Sequence, residues 1–271
     1  MLLRPCGAGG HPAGAGRVSR RRAVRVAVLA VLGAFAIWAK VRIDGLSMET
    51  QATNPIVRWE WVFLREDTRT ELWDATLQHL KLTFTAVGVG IILSAVLAVI
   101  ALRLRWTLTP ITAVTGFLYT IPSVALFGVL RSRYGSFAAA EVALVSYTLL
   151  VLVRNMVAGI EGVPAAVTDA ADGLGLSRTR RLLTVELPLA LPVIVAGIRI
   201  ATVTTVGLVG ITAIIQLGGL GQLIFDGYGT QYYTKIVVGS ALTIALAVVL
   251  DFGFHRLEVA LTPWARGRAA A

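Results

Sequence analysis

The chain has 271 residues, 56% of them hydrophobic and 15% charged, with a formal net charge of +10. A mean hydropathy of +0.76 excludes an ordinary soluble globule and fits an all-α polytopic membrane protein. The basic excess is arginine beside apolar runs, with lysine only at Lys40, Lys81 and Lys235, so it reads as membrane topology and not as a nucleic-acid-binding face.

Residues 1–16 are rich in Gly, Ala and Pro and are expected to be disordered. Cys6 is the single cysteine, which excludes an intrachain disulfide. Arg4-Pro5 before it denies it the small residues of a lipoprotein cleavage site. Arg17, Arg20, Arg21, Arg22 and Arg25 lead into an apolar run over 24–39. A signal peptide and an uncleaved first helix both fit that pattern. Lys40-Val41-Arg42 stands where an Ala-x-Ala-like site would be, so an uncleaved helix is expected, with residues 1–23 as a basic cytoplasmic tail. The segment 40–76 is then extracytoplasmic. Its Trp59, Trp61 and Trp73, set among charges, suit an interfacial helix, with a plain soluble loop as the alternative.

Five further runs approach the roughly 20 residues that a hydrocarbon core of about 30 Å requires. They are 82–102, 107–130 (broken at Pro122), 137–157, 192–215 and 236–254. With the first helix they make six spans, the last five in a core domain of residues 77–262. Counting from a cytoplasmic N-terminus puts Arg103, Arg105, Arg178, Arg180, Arg181 and the tail 263–271 inside; Arg131 and Arg133 count against it. Both termini are expected in the cytoplasm.

The stretch 159–192 is the polar interlude of the second half, and its grammar is helix, turn, helix. Pro164 suits a helix's first turn. Val167, Ala170, Ala171 and Leu174 recur at helical spacing opposite Thr168, Asp169 and Asp172, giving a narrow apolar face. Gly173 and Gly175 offer stop-and-turn positions. Ser177 is an N-cap for a second helix expected to run until Pro188 and Pro192 break it. A short helix with such a face suits another protein's groove. Later, Gly207 and Gly210 with the small residues of 196–205 suit close helix packing.

Asp169-Ala170-Ala171, three residues, Gly175, nine residues, then Val185-Glu186-Leu187-Pro188 resembles the "EAA" motif of ABC-importer permeases, with Asp for Glu and Val for Ile. The segments 120–127 (TIPSVALF), 185–192 (VELPLALP), 196–199 (AGIR) and 218–221 (GGLG) are similar to the glycine betaine/carnitine/choline branch. The resemblance covers about residues 72–261. It implies a type I importer permease fold and a dimer with an identical or sister chain. It further implies two cytoplasmic ATPases, and an extracytoplasmic binding protein that selects a quaternary-ammonium osmoprotectant with an aromatic cage. Pro164, Asp169, Ala170, Ala171, Gly175, Glu186, Leu187 and Pro188 fall on the positions that such permeases offer to the ATPase. A methionine-like importer and a non-transporting scaffold with the same fold are the rival readings.

The sequence has no Gly-x4-Gly-Lys-[Ser/Thr], Gly-x-Ser-x-Gly or His-Glu-x-x-His, and His11, His79 and His255 match no metal-ligand spacing. No catalytic role, metal or cofactor is expected, and ATP hydrolysis belongs to a partner chain. Pore or gate candidates are Pro122, Ser123, Arg199, Gln216, Gly218, Gly219 and Gly221. Arg199 lies roughly 10 Å past Pro192. It is expected to snorkel or to tie helices together through Asp251 or Glu186, because a fixed cation on the path would repel a quaternary amine. Gln216-Leu217 replaces the Gly-Ala usual in relatives, which points to a different outer vestibule.

Overall fold

The computed structural model describes Val57, Trp61 and residues 66–263. The N-terminal tail, the expected first span at 24–39, Trp59 and residues 264–271 lie outside them. Among the described residues every regular element is helical.

Helix α1 spans Glu66–Arg103, 38 residues with acids in its first turn and Arg103 in its last, which suits the helix dipole. At 1.5 Å per residue it is about 57 Å long and overreaches a hydrocarbon core of roughly 30 Å. The separate interfacial helix expected around Trp73 is therefore the overhanging start of α1, with Trp73 63% exposed. Lys235 holds this overhang: its Nζ lies 2.6 Å from Glu71 and 5.7 Å above the Trp61 ring.

A 3₁₀ turn (Arg105–Thr107) leads into α2 (Leu108–Thr120), and α3 follows at Ser123–Tyr134. The two are bent by 94° at Ile121-Pro122, so the break expected at Pro122 is a right-angled corner. Pro122 forces the residue before it out of the helical region. Ile121 accordingly has ψ 129°, and its freed carbonyl accepts a hydrogen bond from the Tyr147 hydroxyl. Irregular backbone at membrane depth persists only where a neighbour satisfies it in this way.

Helix α4 (Ser136–Glu161) is the hub, packing on α1, α2, α3 and the later column. One core unites Leu82 and Ala86 of α1, Phe127 of α3, Ala140 and Leu144 of α4, and Val209. A second joins Ala98 and Ala101 to Val153, Met156 and Val157. Small residues set the crossings: a Cβ on Gly90 would lie 2.1 Å from Thr148 Oγ1, and one on Gly197 2.5 Å from Asn155 Cβ. Of the two glycines expected to pack helices, Gly207 has no heavy atom within 4 Å of a built Cβ, whereas Gly210 is closely approached by Gly221, on which a Cβ would lie 2.7 Å from the Gly210 Cα.

After α5 (Ala165–Gly173) and α6 (Arg178–Arg181) comes a π turn, Leu182–Glu186, which runs directly into α7 (Leu187–Ile211). Pro188 and Pro192 therefore do not break the helix. Pro188 follows directly on the π turn, the kind of local widening that lets a continuous helix tolerate a missing N–H, and Pro192 lies inside α7. With a 3₁₀ turn (Thr212–Ile215) the column runs unbroken from Arg178 to Ile215. Helices α8 (Leu220–Gly229) and α9 (Tyr233–Leu261) are the last among the described residues. Among the described residues four helical stretches, α1, α4, the column and α9, are long and apolar enough to cross a membrane, and the bent α2–α3 pair makes a fifth if it is one span.

Candidate functional site

At one end of the column, α5 ends in a Schellman motif. Leu176 N–H donates to Ala171 O at 3.2 Å and Gly175 N–H to Asp172 O at 2.9 Å, with Gly175 at φ +75°. Gly175 is the turning residue; Gly173 is the helix's last ordinary one. Pro164 is the N-cap, one residue before the first turn expected for it. Ser177 caps α6, its hydroxyl accepting from Arg180 N–H at 3.4 Å.

The apolar face of α5 divides. Ala171 turns inward at 4% exposure, whereas Asp169 and Ala170 are exposed and Leu174 is 82% exposed. Ala171 is thus packing inside the loop, and the surface offered outward is Ala170 with Leu174, which the motif had left aside. Arg181 fastens the loop to the column: its Nε lies 2.6 Å from Glu186, 8% exposed in the π turn, and it also pairs with Asp172 of α5. Glu186 therefore serves inside the chain. Leu187 and Pro188 start α7.

At the other end, about 37 Å along the 25-residue α7 at 1.5 Å per residue, lies the glycine loop. Gln216, Gly218 and Gly219 have φ of 56°, 95° and 76°. Gln78 of α1 clasps this turn as a backbone would, donating to Leu217 O and accepting from Gly219 N–H at 3.1 Å. A Cβ on Gly218 would lie 2.2 Å from Gln78 Oε1, and one on Gly221 2.0 Å from Gly210 O. The run Gly218-Gly219-Leu220-Gly221 thus answers two demands, positive φ and backbone contact. Beside it His79 is fully buried, with Nε2 3.0 Å from Val206 O. No local pattern marked Gln78 or His79, which meet residues 139 and 127 positions away.

Pro122 and Ser123 sit at the α2–α3 corner, Pro122 exposed and Ser123 half-buried. Arg199 of α7 reaches across to α9. Its Nη2 lies 2.8 and 3.1 Å from the two oxygens of Asp251, and its Nη1 3.2 Å from Glu258. Of the two partners expected for Arg199, the structure supplies Asp251 and gives Glu186 to Arg181. Glu258 was missed, although its seven-residue spacing from Asp251 places both on one helix face. No group of three metal-ligating side chains occurs among the described residues.

The chain is 38% identical to the osmoprotectant import permease protein OsmW of Salmonella typhimurium strain LT2, over 73% of this chain and 94% of that protein. From Bacillus subtilis strain 168, the choline transport system permease protein OpuBB is 33% identical and the glycine betaine/carnitine/choline transport system permease protein OpuCB 32%. Each alignment covers 71% of this chain and 89% of the relative. Among solved structures it is similar to a chain of the MetNI methionine ABC transporter in an inward-facing conformation, with a TM-score of 0.65 at 22% identity. That match covers 73% of this chain and 99% of that one. At such identity the likeness shows the fold alone, that of a type I ABC-importer permease. The family of binding-protein-dependent transport system inner membrane components matches residues 86–266, and the chain belongs to it: a multi-pass membrane permease subunit, not an enzyme, of a kind that works with an ATPase and a substrate-binding partner.

Proposed function

We propose that this permease carries quaternary-ammonium osmoprotectants of the glycine betaine, choline and carnitine class. The observation that carries this reading is the set of relatives at 32–38% identity, aligned over most of their lengths, whose names specify osmoprotectant, choline or glycine betaine/carnitine/choline transport. The methionine alternative rests on a fold likeness at 22% identity and has no comparable support. In the proposed complex two permeases, identical or sister chains, form the pathway. The α5 surface with exposed Ala170 and Leu174 seats in a cytoplasmic ATPase, and a binding protein delivers cargo to the glycine-loop end. The permease core is taken as residues 77–262, and helix α1 (Glu66–Arg103) runs into it from the preceding segment. Both termini and the 159–192 loop face the cytoplasm.

Cells lacking other uptake systems, given this permease with its partners, accumulate labelled glycine betaine or choline against a gradient; uptake of methionine and of neither quaternary amine overturns the cargo assignment. For topology, Cys6→Ser with Thr230→Cys is labelled by an impermeant thiol reagent on intact cells, and Cys6→Ser with Ser177→Cys is spared. The reverse pattern overturns the orientation.

A further inference from the structure

The Arg199–Asp251 pair borders a groove of about 610 Å³ between α7 and α9, walled by Ile200, Val203, Thr204 and Val248. The side chain of Arg199 is 27% exposed and that of Asp251 46%. Charged groups in a membrane-spanning segment face water or protein and not hydrocarbon. Such a pair favours water or a partner chain over lipid tails on this side of α7 and α9.

We infer that the groove is a transient cargo site, in which a zwitterionic quaternary ammonium compound takes the place of the Arg199–Asp251 ion pair; this rests on the cargo class proposed above. The charge balance permits it. Asp251 and Glu258 together outweigh Arg199, so the cation that would otherwise repel the cargo is neutralised and one negative charge is left over. His255, 3.6 Å from Glu258, removes that excess only when protonated.

The walls suit the same ligand. A quaternary ammonium carries its charge under methyl groups and donates no hydrogen bond, so it needs apolar surface with a carboxylate nearby and no ring of acceptors. Ile200, Val203 and Val248 supply the surface and Asp251 the carboxylate. A betaine also brings a carboxylate of its own, for which the planar guanidinium fork of Arg199 is the matching partner. Opening the Arg199–Asp251 pair would strand two partly buried charges. A zwitterion opens it without stranding either, because each protein charge exchanges one partner for another. Choline brings only the cation, so it uses Asp251 and leaves Arg199 on Glu258.

The test compares labelled glycine betaine and choline uptake by the complete importer. Arg199→Gln lowers glycine betaine uptake about tenfold more than choline uptake, as loss of one charge-assisted fork predicts, and Asp251→Asn lowers both. Equal effects of Arg199→Gln on the two substrates overturn the site and leave the cargo assignment standing; a wild-type importer that moves neither substrate overturns both. Independently of these variants' folding, purified importer carrying Cys6→Ser and Ala247→Cys is treated with a water-soluble maleimide. Labelling of position 247, slowed by millimolar glycine betaine and not by equimolar sodium chloride, supports the site. Absence of labelling means that lipid or a second copy of the chain fills the groove, and labelling that glycine betaine does not slow means that the groove is wet but unused; either overturns the proposal.

Discussion

Replacing Gly175 isolates the geometry of the α5 loop from its chemistry. A Cβ built there meets no atom within 4 Å, so a side chain costs backbone conformation and nothing else. At φ +75° that cost is about 1–2 kcal/mol for alanine, less for asparagine and more for a β-branched valine. The loop has a cheaper escape than bearing the strain. Helix α5 has nine residues, too few to persist without its surroundings. Releasing the two cap hydrogen bonds, from Gly175 to Asp172 and from Leu176 to Ala171, forfeits about 0.5–1.5 kcal/mol each. Strain and release are therefore of similar size, and valine tips the loop into the released form. A loss of roughly 2 kcal/mol in the presented geometry lowers the coupled population by about 30-fold. The assay is uptake per unit of membrane-inserted permease, with co-purification of the ATPase measured on the same samples. Abundance stays level because the loop lies outside the apolar runs, and activity falls in the order Gly, Asn, Ala, Val. Wild-type uptake by Gly175→Val with its ATPase retained, or asparagine no better than alanine, refutes the reasoning.

The two alanines of the motif are expected to fail differently. Ala170→Asp alters an exposed contact and loses the ATPase in pull-downs while the isolated permease resists protease as before. Ala171→Asp places a charge where exposure is 4%, costs several kcal/mol inside the loop and shows as nicking between α4 and α6. Tyr147→Phe leaves the Ile121 carbonyl without its donor, a loss of about 1–3 kcal/mol. It lowers the melting temperature in detergent, and an unchanged value means that the α2–α3 corner is held by something else. Gln216→Gly relieves a non-glycine residue at φ +56° and raises stability by about 0.5–1 kcal/mol; a drop means that the glutamine side chain makes a contact worth more than the strain.

What the sequence made legible follows the range of the interactions. Gly175 and Ser177 were readable because a positive-φ cap and a hydroxyl N-cap are set within four or five residues. The apolar stretches were readable because hydrophobic length is a local property. The prolines misled, since Pro188 and Pro192 break a helix by the local rule, and the π turn that accommodates Pro188 leaves no compositional mark. The inward turn of Ala171 was hidden for a different reason: on a nine-residue helix one small apolar face serves its own chain and a partner equally well by pattern. The Gln78 clasp and the Tyr147 donor join residues 139 and 26 apart, and polar side chains on such helices look like any others until the fold brings a free backbone group to them.

The same distribution of contacts bears on how motion could pass through the subunit. The column from Arg178 to Ile215 is fastened at both ends by side-chain contacts, its own Arg181 tying its start to Asp172 of α5 and Gln78 of α1 tying the turn that follows its end. Its weak points are unevenly placed. The π turn and both prolines, which lack N–H donors, lie within its first fifteen residues, while Ala201, Thr202, Thr205, Val206 and Val209 are buried in a continuous ladder. A column of that kind is expected to bend most readily near α5. If force enters at α5 as proposed, it is converted to a tilt close to where it enters, and the far end moves as a rigid arm against α1 and α4. The glycine loop then changes position without refolding. That outcome agrees with its construction, since Gly218 and Gly221 are packed so closely on Gln78 and Gly210 that the loop has no room to rearrange internally.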